Sequence, residues 1–103
     1  MGFELPAAIG AQIADKEKKV FTIIGDGSFQ LNIQELQTIR HYNLPIKILL
    51  FNNSGYGAIY MTQNAYFKDN IFGTNINSGL SFPNFKKIAE TYKLDYFKIL
   101  YMK

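Results

Sequence analysis

Two short apolar runs constrain this chain most: Val20-Phe21-Thr22-Ile23-Ile24 and Ile46-Lys47-Ile48-Leu49-Leu50-Phe51. Neither alternates cleanly between apolar and polar residues, as a strand with one wet face would. Runs of this kind belong to central parallel strands covered on both faces. Parallel neighbours cannot be joined by a tight turn, so the segment between them must hold a crossover, normally a helix. The sequence supplies one: Asn32 is placed to cap it, Glu35 stands in capping-box position, and Leu31 with Leu36 are spaced as a hydrophobic staple. Ile33, Leu36 and Ile39 would line its buried face, and His41 to Pro45 would return the chain to the second strand in a right-handed crossover.

The flanking segments extend the same alternation. Pro6 fits a first helical turn, where a missing N–H costs nothing, and Ala7, Ala8, Ile9, Ala11, Ile13 and Ala14 continue a small-residue helix that ends in the polar Asp15–Lys19 segment. Phe85, Ile88, Ala89 and Tyr92 follow i, i+3, i+4, i+7 spacing after Pro83 and predict another amphipathic helix. Tyr96 to Leu100 reads as a third strand. The expected order is helix, strand, helix, strand, loop, helix, strand. Lys68 to Ser81, rich in Asn, Gly and Ser, is too long for a turn, and loops of that length are commonly functional or disordered.

Composition sets the outer bounds. The chain has 103 residues, 48% of them hydrophobic and 18% charged, enough for one domain with a buried core. Its net charge of +3 comes from dispersed lysines such as Lys16, Lys18 and Lys19, which read as solvated faces and not as a nucleic-acid surface. Cysteine is absent, which removes disulfides and thiolate-held metals from consideration. No apolar stretch nears the roughly 20 residues of a membrane helix, and the N-terminus lacks a signal-peptide layout, so a cytoplasmic, membrane-free protein is expected.

Chemistry concentrates where the two strands end. Gly25-Asp26-Gly27 follows the first run, Asn52-Asn53 follows the second, and 24 residues separate triplet from pair. Ligands of open parallel sheets bind beyond the carboxyl ends of the strands, so neighbouring strands would bring Asp26 and Asn53 together. A carboxylate and an amide oxygen are hard ligands suited to Mg²⁺, which completes its octahedron with phosphate oxygens and water. Gly27 admits close backbone approach, and its N–H, the Ser28 N–H and the Ser28 hydroxyl could donate to a diphosphate. Asn53-Ser54-Gly55-Tyr56-Gly57 could turn a carbonyl, that of Gly55, toward the same ion. Each motif alone also reads as a tight turn, and Asn52 heads a glycosylation acceptor sequence. Other ligand motifs fail: no Gly-x-x-x-x-Gly-Lys loop is present, Gln30 stands where a dinucleotide fingerprint needs glycine, and no acids alternate after Asp26 as in a calcium loop. The single histidine, His41, falls at a predicted helix end, where it serves as a favourable charge.

Gly25-Asp26-Gly27-Ser28-Phe29 with Asn52-Asn53, and the opening Met1-Gly2-Phe3-Glu4-Leu5-Pro6-Ala7-Ala8-Ile9-Gly10-Ala11, resemble the C-terminal cofactor-binding domain of thiamine diphosphate enzymes of the acetolactate synthase and pyruvate decarboxylase group. The resemblance covers almost the whole chain and implies part of a doubly wound α/β fold, with residues 1–103 an incomplete thiamine diphosphate and Mg²⁺ binding domain. It implies Asp26, Asn53 and the Gly55 carbonyl as metal ligands, Gly25, Gly27 and Ser28 beside the diphosphate, and Tyr56, Gly57 and Ala58 near the cofactor. Met1 falls where the family carries the bulky apolar residue that wedges the cofactor into a V shape; it is equally read as a start methionine. Acetolactate synthases typically read Gly-Met-Val where this chain has Gly57-Ala58-Ile59, so the position near the thiazolium is smaller.

The same resemblance implies a longer parent enzyme acting on a 2-oxo acid as a decarboxylase or carboligase. The activating glutamate would lie outside this chain, the active site would form between subunits of a homo-oligomer, and the isolated chain would be inactive. The alternative is a non-catalytic domain that keeps the fold for assembly or regulation.

Overall fold

Hydrogen bonds join strand β1 (Phe21–Gly25) in parallel to strand β2 (Lys47–Phe51), in a register that sets Phe21 opposite Lys47 and Gly25 opposite Phe51. Both strands therefore end at one level, and the segments beginning at Asp26 and Asn52 leave the sheet side by side. The structure is a computed structural model that describes residues 1–68 and 70–100. Helix α1 (Glu4–Ala14) precedes β1; helices α2 (Asp26–Leu31) and α3 (Glu35–His41) fill the crossover. Helix α4 (Gly57–Phe67), a 3-10 turn (Ile76–Ser78) and helix α5 (Phe85–Thr91) follow β2. The expected α/β architecture, a parallel sheet with flanking helices, is present.

The core forms where the helical stripes meet one face of the sheet. Leu5, Ala8 and Ile9 of α1, Ile24 of β1, Phe29 of α2, and Leu36 and Ile39 of α3 make one buried cluster with Ile46 and Phe85. Each Leu or Ile side chain so buried contributes roughly 1.5–3 kcal/mol, and the Phe29 and Phe85 rings meet edge to face at 5.8 Å. Gln12, on the same stripe of α1, is buried and donates through Nε2 to the carbonyls of Asp15 (3.3 Å) and Lys18 (2.9 Å), closing the turn into β1. Helices α3 and α5 end alike. Asn43 and Lys93 adopt positive φ, and the following N–H groups of Leu44 and Leu94 reach back to the carbonyls of Ile39 (3.0 Å) and Ala89 (2.9 Å), which satisfies helix-end carbonyls.

Several local expectations are corrected. Asn32 does not cap the crossover helix, because α2 starts directly at Asp26 and Asn32 sits at its C-terminal end, where its Nδ2 donates to the Gly2 carbonyl at 2.6 Å. Gln34 occupies the N-cap of α3 without a side-chain bond, and the Glu35 carboxylate accepts from the Thr38 hydroxyl instead of a backbone N–H. Leu31 remains 53% exposed, as no stapled side chain would. The expected loop after β2 contains α4, a helix with no buried residue and hence no apolar stripe to betray it. Tyr96 to Leu100 form no strand: an extended segment becomes one only against a partner edge, and here Phe97 and Ile99 stay exposed. Nor is the sheet covered on both faces. Thr22 and Ile24 point into the core, while Phe21, Ile23 and Phe51 on the other face are each more than 60% exposed.

Candidate functional site

Asp26 opens α2 at the carboxyl end of β1, and its side chain is 2% exposed. A buried carboxylate needs donors, and two backbone groups supply them. The Gly27 N–H donates to Oδ1 at 2.8 Å and the Gly55 N–H to Oδ2 at 3.2 Å. The same Gly55 N–H reaches Oδ1 of Asn53 at 3.3 Å. One amide hydrogen thus draws together a carboxylate oxygen from the end of β1 and an amide oxygen from the loop after β2. Oxygens that converge on a positive pole in this way are the donor set a Mg²⁺ ion takes from protein when phosphate and water supply the rest. The residues present fit that ion. Among the described residues no three His, Cys, Asp or Glu side chains gather, so a site caged entirely by such side chains is not available.

The asparagine loop owes its shape to local bonds and to a distant segment. Asn52 Oδ1 accepts from the Ser54 N–H at 3.1 Å, in an Asx turn that carries Ser54 to φ 57°. Residues 73–80 then brace the loop from outside. The Tyr56 N–H donates to the Thr74 carbonyl at 2.8 Å, and Gly55 pairs with Asn75 in an isolated antiparallel bridge. A Cβ on Gly55 would lie 2.6 Å from the Thr74 carbonyl oxygen, so glycine is required for this approach. Thr74 is buried, and Asn75 and Ser78 cap the 3-10 turn reciprocally. The long segment rich in Asn, Gly and Ser, read from its length as functional or disordered, is in this part a brace.

A second set of bonds fixes the N-terminal segment against α2. Gly2, at φ 83°, donates its N–H to Ser28 Oγ at 2.6 Å, and Ser28 Oγ lies 2.8 Å from both carboxylate oxygens of Glu4. Burial pushes the Glu4 carboxyl up, but bonds from its own backbone N–H and from the Ser28 hydroxyl, with smaller help from the Gly2 N–H, hold it below the usual carboxylate value. Beside Gly27 the chain is also crowded: the Tyr56 ring occupies the space a Cβ there would need, and packs edge to face on Phe82 at 6.0 Å.

These parts border one open hollow of about 220 Å³. Every residue named from the resemblance as a metal or cofactor contact lines it, from Met1 through the Gly25–Ser28 turn to Asn53 and the Gly55–Ala58 segment, whereas Asn52 of the motif pair does not. Phe51 and Ile59 also line it and were missed. Phe51 could have been found as the last residue of its strand; Ile59 had no signal until α4 was known. Glu4 was quoted only as part of a segment, although it is the one charged side chain between Met1 and Ala14. A larger groove of about 360 Å³ lies between the ends of α3 and α5, lined by Arg40, His41 and Lys93 with no carboxylate. His41 is the last residue of α3, at the helix end where the sequence placed it.

Residues 1–100 match the family described as thiamine pyrophosphate enzyme, C-terminal TPP binding domain, and the chain belongs to that family. Thiamine pyrophosphate, the diphosphate of thiamine, is the family's cofactor, with Mg²⁺ its usual partner. Among its relatives are acetolactate synthases. The acetolactate synthase large subunit of Porphyra purpurea is 42% identical over 99 residues, covering 96% of this chain and 16% of its own length. The probable large subunit of Methanococcus aeolicus is 42% identical over 92 residues, or 89% of this chain and 15% of that protein. The chloroplastic acetolactate synthase 2 of Nicotiana tabacum is 45% identical over 94 residues, or 87% and 14%. The chain thus spans about one sixth of the curated relatives it matches. No helix among the described residues is long and apolar enough to cross a membrane.

Proposed function

We propose that this chain is the cofactor-anchoring part of a thiamine diphosphate- and Mg²⁺-dependent, acetolactate synthase-like enzyme that decarboxylates a 2-oxo acid and joins the remaining acyl carbon to an acceptor. The observation that carries the reading is the convergence of Asp26 Oδ2 and Asn53 Oδ1 on the Gly55 N–H, inside a hollow lined by Met1 and Tyr56. Asp26 and Asn53 would hold Mg²⁺ by side-chain oxygens and Gly55 by its carbonyl. Gly25, Gly27 and Ser28 would border the diphosphate, and Tyr56, Gly57 and Ala58 would face the rest of the cofactor. Thiamine diphosphate, when bound, supplies the electron sink for decarboxylation. The chain's own share is to bind and orient: one buried negative charge offsets the ion, and the braced loop holds the second oxygen in place. The proton-transfer groups and the acceptor site would lie in the remaining five sixths of the length seen in the relatives, in a cytoplasmic homo-oligomer.

Calorimetric titration of the full-length protein with thiamine diphosphate and Mg²⁺ tests this. Binding is expected to require Mg²⁺ and to fall at least 100-fold in Asp26→Ala, a loss of the size expected when a buried charge partner is removed. Undiminished binding in that variant overturns the assignment.

A further inference from the structure

Glu4 lies outside the metal and diphosphate motifs, yet its carboxylate decides what the Ser28 hydroxyl can do. A hydroxyl has one proton to give and lone pairs to receive. Gly2 N–H, 2.6 Å from Ser28 Oγ, can only donate, so Oγ accepts from it. The Glu4 oxygens, both 2.8 Å from Oγ, belong to a carboxyl held below its usual value and so ionised near neutrality; they can only accept. The Ser28 proton therefore points to Glu4, and the bonds run in one direction from Gly2 N–H through Ser28 O–H to the carboxylate, each polarising the next. On its other side Gly2 is held by Asn32 Nδ2, which donates to its carbonyl at 2.6 Å. The Gly2 residue is clamped on both sides, at a φ of 83° that disfavours any other residue, and Met1 beside it rims the cofactor hollow.

We propose that Glu4 is a positioning residue for the cofactor site: by taking the Ser28 proton it locks Gly2 and so places Met1 over the hollow, and it withdraws the Ser28 hydroxyl from the donors open to the diphosphate. This rests on the reading of the hollow as a thiamine diphosphate site, and it changes one part of it. Ser28 then serves the cofactor through the position of Met1, not through a hydroxyl bond to the diphosphate.

A double-mutant cycle on the full-length protein tests it, with thiamine diphosphate affinity at saturating Mg²⁺ as one readout and hydrogen exchange of the Gly2 amide, without cofactor, as the other. Glu4→Ala and Ser28→Ala should each weaken affinity about tenfold, and the double variant no more than either single one, since all three break the same connection. Glu4→Gln keeps an acceptor for the Ser28 hydroxyl and should stay within about threefold of the unsubstituted protein. Gly2 exchange should be slow in the unsubstituted protein and Glu4→Gln, and about tenfold or more faster in both alanine variants. Circular dichroism of each variant separates this from loss of fold. Additive losses, or a Glu4→Ala variant that binds and exchanges normally while Ser28→Ala does not, overturn the proposal in favour of a direct hydroxyl contact. If the unsubstituted protein binds no cofactor, the functional reading fails by itself, and the exchange measurement still decides whether Glu4 holds Gly2.

Discussion

Gly27 answers to two neighbours at once. Its N–H belongs to the buried Asp26 carboxylate, and its bare α-carbon makes room for the Tyr56 ring. In a helix, alanine would ordinarily be favoured over glycine by about 1 kcal/mol. Here Gly27→Ala should lower stability instead, by about 1–3 kcal/mol, because the ring must leave its place. Thermal unfolding measures the loss, and a stabilised variant would show that the ring moves freely. Asp26 and Asn53 could be singled out because a metal and a diphosphate would demand oxygen ligands at strand ends, and the fold does bring the two side chains to one Gly55 N–H. The bond from Ser28 to Glu4 was not readable, because nothing in the spacing of an acid and a serine 24 positions apart says that α1 and α2 will cross there.

Among the elements, those with a periodic apolar pattern were legible and those without one were not. β1, β2, α1 and α5 follow from their runs and stripes. α2 starts on the last residue of the Gly-Asp-strand junction with no separate cap, and α4 buries nothing, so neither leaves a trace in hydrophobic spacing. Caps behave in the same local way. Asn84 accepts from the Lys87 N–H at 3.1 Å at the start of α5, so Asn84→Ala should cost about 1 kcal/mol, read as a lowered midpoint in urea unfolding. Asn32→Ala should leave α3 intact and loosen Gly2 instead, seen as faster exchange of the Gly2 amide with unchanged protection in α3. Fraying of α3 in that variant would restore the capping role that the sequence suggested.

The whole molecule is more extended than its length requires. Its radius of gyration is 15.6 Å, against about 13 Å for a compact domain of roughly 100 residues. The excess goes with the bare sheet face, where Phe21, Ile23 and Phe51 are exposed, and with an α4 that packs no buried side chain. Apolar surface of this kind drives association. The 103-residue chain alone should sediment as species larger than a monomer, and Phe21→Thr with Ile23→Thr should shift it toward the monomer; a monomeric unsubstituted chain would contradict this. The apolar runs led to the expectation of a sheet covered on both faces, and one face is bare here, because hydrophobic spacing marks a face as apolar without stating what covers it.

Residues 73–80 carry a consequence for anyone who would edit this chain. Surface loops are ordinarily the place where length can be changed at little thermodynamic cost. This one holds the peptide of Tyr56 and lies against Gly55, so trimming it would release the asparagine loop from a distance and uncouple the two halves of the site. Labels, tags and insertions therefore belong elsewhere.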